Sequence, residues 1–242
     1  MARHRLYSPD LRSLAAQGCG VLTITGDEAH HAVKVKRLEV GDDVGVIDTL
    51  GCVGEGVVET ITKPRGEFAI GVRVERVEIA PRTAPRVEVW AAPPKGDRLE
   101  QMIDQLSQIG AAAYMPLATA RGVVDPREGK LARLQRVALE SAKQSGRAWA
   151  IEIGAGGDVA AACLPGVDTR VVVADVSGAR YQRAGANNIR VLVGPEGGWT
   201  SEELDAARRE GAVLANFGPC VQRIETAAVS AAAVILNLEQ YR

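Results

Sequence analysis

The sequence lacks any apolar run approaching the roughly twenty residues of a bilayer span, and its opening MARHRLYSPD carries no apolar h-region. Neither a membrane protein nor an exported one is expected, and the chain is assigned to the cytoplasm. Cysteine is sparse: Cys19, Cys52, Cys163 and Cys220 lie far apart, with no CxxC pair and no histidine at ligand spacing. That pattern excludes a disulfide framework and a zinc site, so reduced thiols and no metal are expected. Internal repeats and low-complexity tracts are also missing. So is an overall charge of one sign, the formal net charge being −1.

What is present is ordinary in bulk. The 242 residues are 46% hydrophobic and 24% charged, enough for one large domain or two small ones with a real core. The charge is uneven: residues 1–80 sum to −2, residues 81–150 to +4 and residues 151–242 to −3. Residues 1–37 hold six basic against three acidic groups and all three histidines. Two basic regions on a neutral chain fit a nucleic-acid footprint. A pair of solvated faces would give the same counts.

Residues 1–80 read as a small β domain. Val21–Thr25, Val44–Asp48, Val53–Ile61 and Phe68–Val77 alternate apolar and polar residues, and a helix is expected from Asp27 to about Leu38. Several short strands with one helix suggest a small barrel. The segment Ala80-Pro81-Arg82-Thr83-Ala84-Pro85 is the best linker, so residues 81–242 form the second domain. There strands and helices alternate, which predicts an α/β domain with a mostly parallel sheet. The expected strands are Val87–Ala91, Ala113–Leu117, Arg170–Ala174, Val191–Val193 and Val213–Asn216. Helices are expected after Asp97, closed by Gly110, and from Glu128 to Ser145, closed by Gly146.

Val191–Thr200, VLVGPEGGWT, organises this domain. A buried strand breaks into Gly194-Pro195-Glu196-Gly197-Gly198, and Thr200 with Glu203 forms a capping box that opens a helix. Glycines permit close backbone approach to a ligand, and a helix start adds free amides. No lysine follows the glycines, so a P-loop is excluded. About twenty residues on, a second strand passes through Phe217-Gly218-Pro219 into Arg223-Ile224-Glu225-Thr226 and an alanine-rich helix. Asp175-Val176-Ser177-Gly178 is a third candidate loop. Ligands of open α/β sheets sit at the carboxyl ends of strands, so the loops are expected to share one site.

LVGPEGGWTSEEL with FGPCVQRIETAA resembles the bacterial family that methylates uracil N3 in 16S ribosomal RNA, within the SPOUT superfamily of knotted methyltransferases. HAVKVKRLEVGD, PPKGDRLEQMIDQLSQIGA and ESAKQSGR are similar to further segments of that family, so the likeness spans the chain. It implies an N-terminal PUA-like RNA-binding β-barrel, a C-terminal α/β-knot domain with a trefoil knot, S-adenosyl-L-methionine, 16S rRNA of the small ribosomal subunit as partner, and a homodimer. The chain departs from the family at Gln105 and Gln108, at Lys143, and at Cys220-Val221-Gln222-Arg223, where one of two arginines is missing. Two other readings stay open: a related knotted methyltransferase with another RNA target, and a non-catalytic RNA-binding assembly factor.

The expected cofactor-binding residues are Ala174, Asp175, Gly194, Pro195, Glu196, Gly197, Gly198, Phe217, Gly218, Pro219, Val221 and Thr226. A Cβ at Gly197 is expected to abolish cofactor binding. Arg223 and Glu196 are the catalytic candidates, Arg223 as a fixed cation that stabilises the anion developing on uracil. A salt bridge from Arg223 to Glu196 or Glu225 is the structural alternative. Glu196 orients backbone or arginine rather than acting as a base. Arg5, Lys36 and Arg37, with Lys95, Arg98, Arg121 and Arg147, are the candidates for gripping RNA phosphates. His30 and His31 are candidates for stacking on RNA or for a packing role.

Overall fold

The computed structural model describes residues 4–122 and 128–240. It divides into one compact unit of Met1–Arg82 with Ala142–Ala150 and another of Thr83–Ser141 with Ile151–Arg242.

The first unit comprises His4–Tyr7 (β1), Gly20–Thr25 (β2), Gly26–Lys34 (α1), Asp43–Ile47 (β3), Cys52–Thr62 (β4) and Ala69–Ile79 (β5). Its five strands run in the order β1-β3-β4-β5-β2, with β1 parallel to β3 and the other pairs antiparallel. Alternation does the work here: Val44, Val46, Val58, Ile70, Val72 and Val74 all face one core, against which α1 lays Ala29 and Ala32. The helix stops at Lys34, short of the expected Leu38. Arg37 turns left-handed (φ 57°), and the Leu38 amide donates back to the Ala32 carbonyl at 3.1 Å, seating Leu38 in the core.

Residues 142–150 lie with this unit, although the expected division counts them with the second domain. Side-chain contacts fix them there. Lys143, buried, pairs with Glu28 at 2.9 Å, and Trp149 donates its indole N–H to the Ala80 carbonyl at 2.9 Å. Arg82 covers the Trp149 ring at 4.0 Å. None of these pairings is visible as local spacing.

The second unit is built from Arg86–Ala91 (β6), Arg98–Ile109 (α2), Ala113–Ala118 (β7), Glu128–Ser145 (α3, shared), Glu152–Ile153 (β8) and Gly157–Asp158 (β9). It continues with Val159–Cys163 (α4), Thr169–Arg180 (β10), Asn188–Val193 (β11), Ser201–Arg209 (α5), Val213–Asn216 (β12) and Ile224–Gln240 (α6). The sheet order is β12-β10-β11-β6-β7-β8, with β9 beside β7, and every pairing is parallel. Such a sheet must be covered on both faces. Val172, Val191, Val193, Val87 and Val89 point to one side, under α2 and α6; Val171, Val173, Leu192 and Trp90 point to the other, under α4 and α5. On α2, Leu99, Met102, Ile103 and Leu106 are buried, and Gly110 closes the helix at φ +100°.

The expected third loop, Asp175–Gly178, is instead a bulge inside β10. Both Ala174 and Ala179 pair with Ala215, so the four residues between them bow out while the ladder resumes behind. The Asp175 carboxylate accepts the Ser177 amide at 2.8 Å and shapes the bow.

Near the C-terminus of α6, the buried Glu239 carboxylate accepts from the Tyr181 hydroxyl at 2.8 Å and from the Ala184 and Gly185 amides at 2.6 and 2.9 Å. Tyr181→Phe removes one donor from a desolvated anion. It should cost about 2 kcal/mol, read as a lower urea midpoint. Burial, then the hydrogen bond to Glu239, push the Tyr181 phenol well above its ordinary value. The contribution is therefore full below about pH 10, where an unfolded tyrosine ionises, and is lost as pH rises through the folded value. The phenylalanine variant should lack this alkaline loss.

Candidate functional site

Strands β12, β10 and β11 are neighbours and parallel, so their carboxyl ends bring the bulge, the glycine loop and the 217–222 loop together. They enclose a cleft of about 320 Å³. Its walls include Ala174, Asp175, Gly194, Pro195, Glu196, Gly197, Gly198, Phe217, Gly218 and Val221, ten of the twelve residues expected to hold a cofactor. Pro219 faces a neighbouring hollow of about 800 Å³ instead, and Thr226 is exposed on α6 and lines neither hollow. Asn216, Phe217 and Gly218 form a partition common to the two hollows.

The glycine loop is tied down from several sides. Thr200 and Glu203 complete the capping box at 3.2 and 2.8 Å, and the second Glu203 oxygen accepts the Ala120 amide at 2.8 Å. Gly198, at φ +69°, closes a turn by donating to the Pro195 carbonyl at 2.8 Å. Trp199 folds back over Gly194 and donates its indole N–H to the Ala174 carbonyl at 3.0 Å. A Cβ on Gly194 would stand 2.9 Å from that indole. At Gly197, where a Cβ was expected to intrude on a bound cofactor, the nearest protein atoms are the Arg121 Cβ and Cδ at 3.3 Å. Gly194 is the tighter position. On the other loop, the Asn216 side-chain Oδ1 accepts the Gly218 amide at 2.9 Å, and Phe217 stacks on Tyr181 with centroids 5.4 Å apart.

Two arginines expected to face RNA are occupied here. Arg121 donates to the Gly197 and Trp199 carbonyls at 2.6 and 3.2 Å, clamping the glycine loop from outside. Arg98 stands between Glu196 and Glu225, 3.6 Å from each. Arg98 thus takes the place of the alternative in which Arg223 pairs with one of those carboxylates. Arg223 opens α6, its carbonyl accepting the Ala227 amide at 2.8 Å, and its exposed guanidinium has no partner among the described residues. Glu225 is only 13% exposed, and its Oε2 has no hydrogen-bond partner among the described residues.

Of the other basic candidates, Arg5 is half-buried over Gly146 and directs a guanidinium N–H toward the Lys143 carbonyl at 3.4 Å. Burial lowers the Arg147 guanidinium below its ordinary value. Lys36, Arg37 and Lys95 are exposed, with no side-chain partner among the described residues. The sequence departures divide by place. Cys220 and Gln222 line the cleft, whereas Gln105 and Gln108 are exposed on α2. Sequence reasoning missed Trp199 as a wall and Arg98 and Arg121 as loop holders; WT at the end of GPEGG was the only local hint of the first. No cluster of metal-ligating side chains is present among the described residues, and none of their helices is long and apolar enough to cross a membrane.

Comparison with known proteins agrees with this geometry. The signature of an RNA methyltransferase domain matches residues 82–236, and that of an RNA methyltransferase PUA domain matches residues 24–70. Ribosomal RNA small subunit methyltransferase E of Mycobacterium bovis is 30% identical over 232 residues, covering 87% of this chain and 84% of its own length. A probable rRNA-methyltransferase from Porphyromonas gingivalis superimposes with a TM-score of 0.83 at 25% identity, over 98% of this chain and 99% of that one. A ribosomal RNA small subunit methyltransferase E from Neisseria gonorrhoeae, bound to S-adenosyl methionine, shares the fold at TM-score 0.83 and 20% identity, with 98% of each chain covered. The expected fold class, a PUA-like β domain followed by a SPOUT-type α/β domain, is the one found. With both signatures in order along one chain, this protein belongs to the RNA methyltransferase family that includes the ribosomal RNA small subunit methyltransferase E enzymes.

Proposed function

We propose that this protein is a cytoplasmic S-adenosyl-L-methionine-dependent methyltransferase that acts on uracil N3 in 16S rRNA of the small ribosomal subunit. The observation that carries the reading is the three-loop cleft at the carboxyl ends of β10, β11 and β12, walled by ten residues of the expected cofactor set. The cleft suits the ligand: Val193, Ala215 and Trp199 offer apolar surface, and the glycine loop brings backbone groups to its edge. When bound, S-adenosylmethionine supplies an electrophilic methyl group on a sulfonium. The protein must then admit one base to the cleft and lower the cost of charge on N3. Arg223, exposed and without a partner among the described residues at the start of α6, is the group that stabilises the uracil anion, while Arg98 holds Glu196 and Glu225 in place. The bound cofactor would supply its methyl group to N3 and leave as the neutral thioether, and the N3 proton would pass to solvent.

Calorimetry should show S-adenosylmethionine binding without RNA. Nucleoside mass spectrometry should show N3-methyluridine in 16S rRNA appearing only with the gene. No cofactor binding, or a different methylated nucleoside, would overturn the assignment.

The functional unit is a homodimer on this reading. The hollow of about 800 Å³ beside the cleft is lined by Tyr181, Phe217, Ala233, Val234 and the 40% exposed Leu238, an apolar concavity suited to a second copy. Sedimentation at micromolar concentration should give a dimer, shifted toward monomer by Leu238→Glu. A strict monomer that still methylates RNA would refute it.

A further inference from the structure

We propose that His30, Lys34 and Lys63, gathered around the ring of Phe68, form a phosphate-binding site for an RNA strand on the first unit. This rests on the reading of the protein as an RNA methyltransferase and says where its β domain takes hold.

Phe68 lies just ahead of β5, half-buried and packed against the core of the sheet, so the fold fixes its ring. Lys34, in the last turn of α1, places its ammonium 5.5 Å from the ring centroid. Lys63, at the turn after β4, places its own at 5.1 Å. His30, one turn before Lys34 on the same helix face, meets the ring edge-on with centroids 6.0 Å apart. Two elements distant in sequence thus bring cations to one aromatic platform.

The kind of partner matters. A carboxylate would neutralise each lysine, whereas an aromatic ring holds an ammonium through its quadrupole and leaves the full charge in place. Among the described residues neither Lys34 nor Lys63 has a carboxylate partner. The next residues add to the field. Arg65 is exposed and left-handed (φ 51°), held by a turn in which the Glu67 amide donates to the Pro64 carbonyl at 3.1 Å. Glu67 is the one acidic residue in that turn and is exposed. Oriented, unpaired cations beside an exposed imidazole are what a phosphate backbone needs for grip and register.

The full-length protein should be titrated into a fluorescein-labelled single-stranded RNA of about 20 nucleotides across a salt series, with S-adenosylmethionine affinity measured in parallel. Lys34→Ala with Lys63→Ala should weaken RNA binding about tenfold or more and reduce the salt slope by about 1.4, two phosphate contacts at 0.7 each. Cofactor affinity should not change. Phe68→Leu keeps an apolar side chain against the core and removes the platform, so it should give a smaller loss of RNA affinity with both lysines still present. Unchanged affinity and slope in the double variant, with the parent binding RNA normally, overturn the site and leave the methyltransferase reading intact. A parent that binds no RNA overturns both. Equal loss of binding to a polyglutamate peptide that the parent holds as tightly as RNA assigns the patch to an acidic protein and overturns it as well.

Discussion

Arg223→Ala should lower single-turnover methyl transfer by about 10²–10³-fold, or on the order of 3–4 kcal/mol, while RNA affinity and its salt slope stay nearly constant. The magnitude follows from where the charge acts. A cation that meets only the anion developing on the base contributes in the transition state and not in the ground-state complex. Arg223 has the required freedom, being exposed and without a partner among the described residues. Arg98 is the natural control because it is the cation that bridges Glu196 and Glu225. Arg98→Ala leaves those two carboxylates uncompensated beside the cleft, so cofactor affinity should fall together with rate. Full single-turnover activity in Arg223→Ala would remove it from the mechanism.

Gly194→Val should weaken S-adenosylmethionine binding at least about 100-fold, roughly 3 kcal/mol, in a protein that still folds. The Cβ position lies 2.9 Å from the Trp199 indole, so the ring must move and its hydrogen bond to the Ala174 carbonyl must stretch or break. That displacement changes two of the three loops at once. Gly197→Val meets the Arg121 Cβ and Cδ at 3.3 Å, which must give by only a few tenths of an ångström, and should cost less. Calorimetry on the pair decides the matter: equal losses, or a greater loss at Gly197, would show that the indole is not the wall proposed here.

The parts of this molecule governed by local pattern were legible in its sequence. Val89-Trp90-Ala91 of β6 and Val191-Leu192-Val193 of β11 are short apolar runs that read as buried strands, and the Thr200–Glu203 box announces α5 ahead of its first apolar residue, Leu204. The 194–199 loop follows from β11, and the 217–222 loop from the short strand β12. What escaped was non-local or too short to have a period. β1 has one buried side chain, Leu6, and is a strand because β3 lies parallel to it. Asp175–Gly178 has the composition of a turn, and only the return of Ala179 to Ala215 makes it a bulge. Arg98 and Arg121 find their partners about a hundred and about eighty residues away, so spacing carried no trace of those pairings. They read as RNA-facing charges until the sheet order brought the loops to them.

The partition formed by Asn216, Phe217 and Gly218 has a thermodynamic consequence. A wall one chain thick cannot be displaced on one side alone, and Phe217 is further braced by its stack on Tyr181. Whatever fills the larger hollow and favours one position of that wall must alter the affinity of the smaller cleft. Linkage makes the effect reciprocal, so a ligand in the cleft alters the first equilibrium by the same factor. With a second copy as the occupant, cofactor affinity would vary with protein concentration, and a titration at nanomolar protein would report a different constant from one at micromolar.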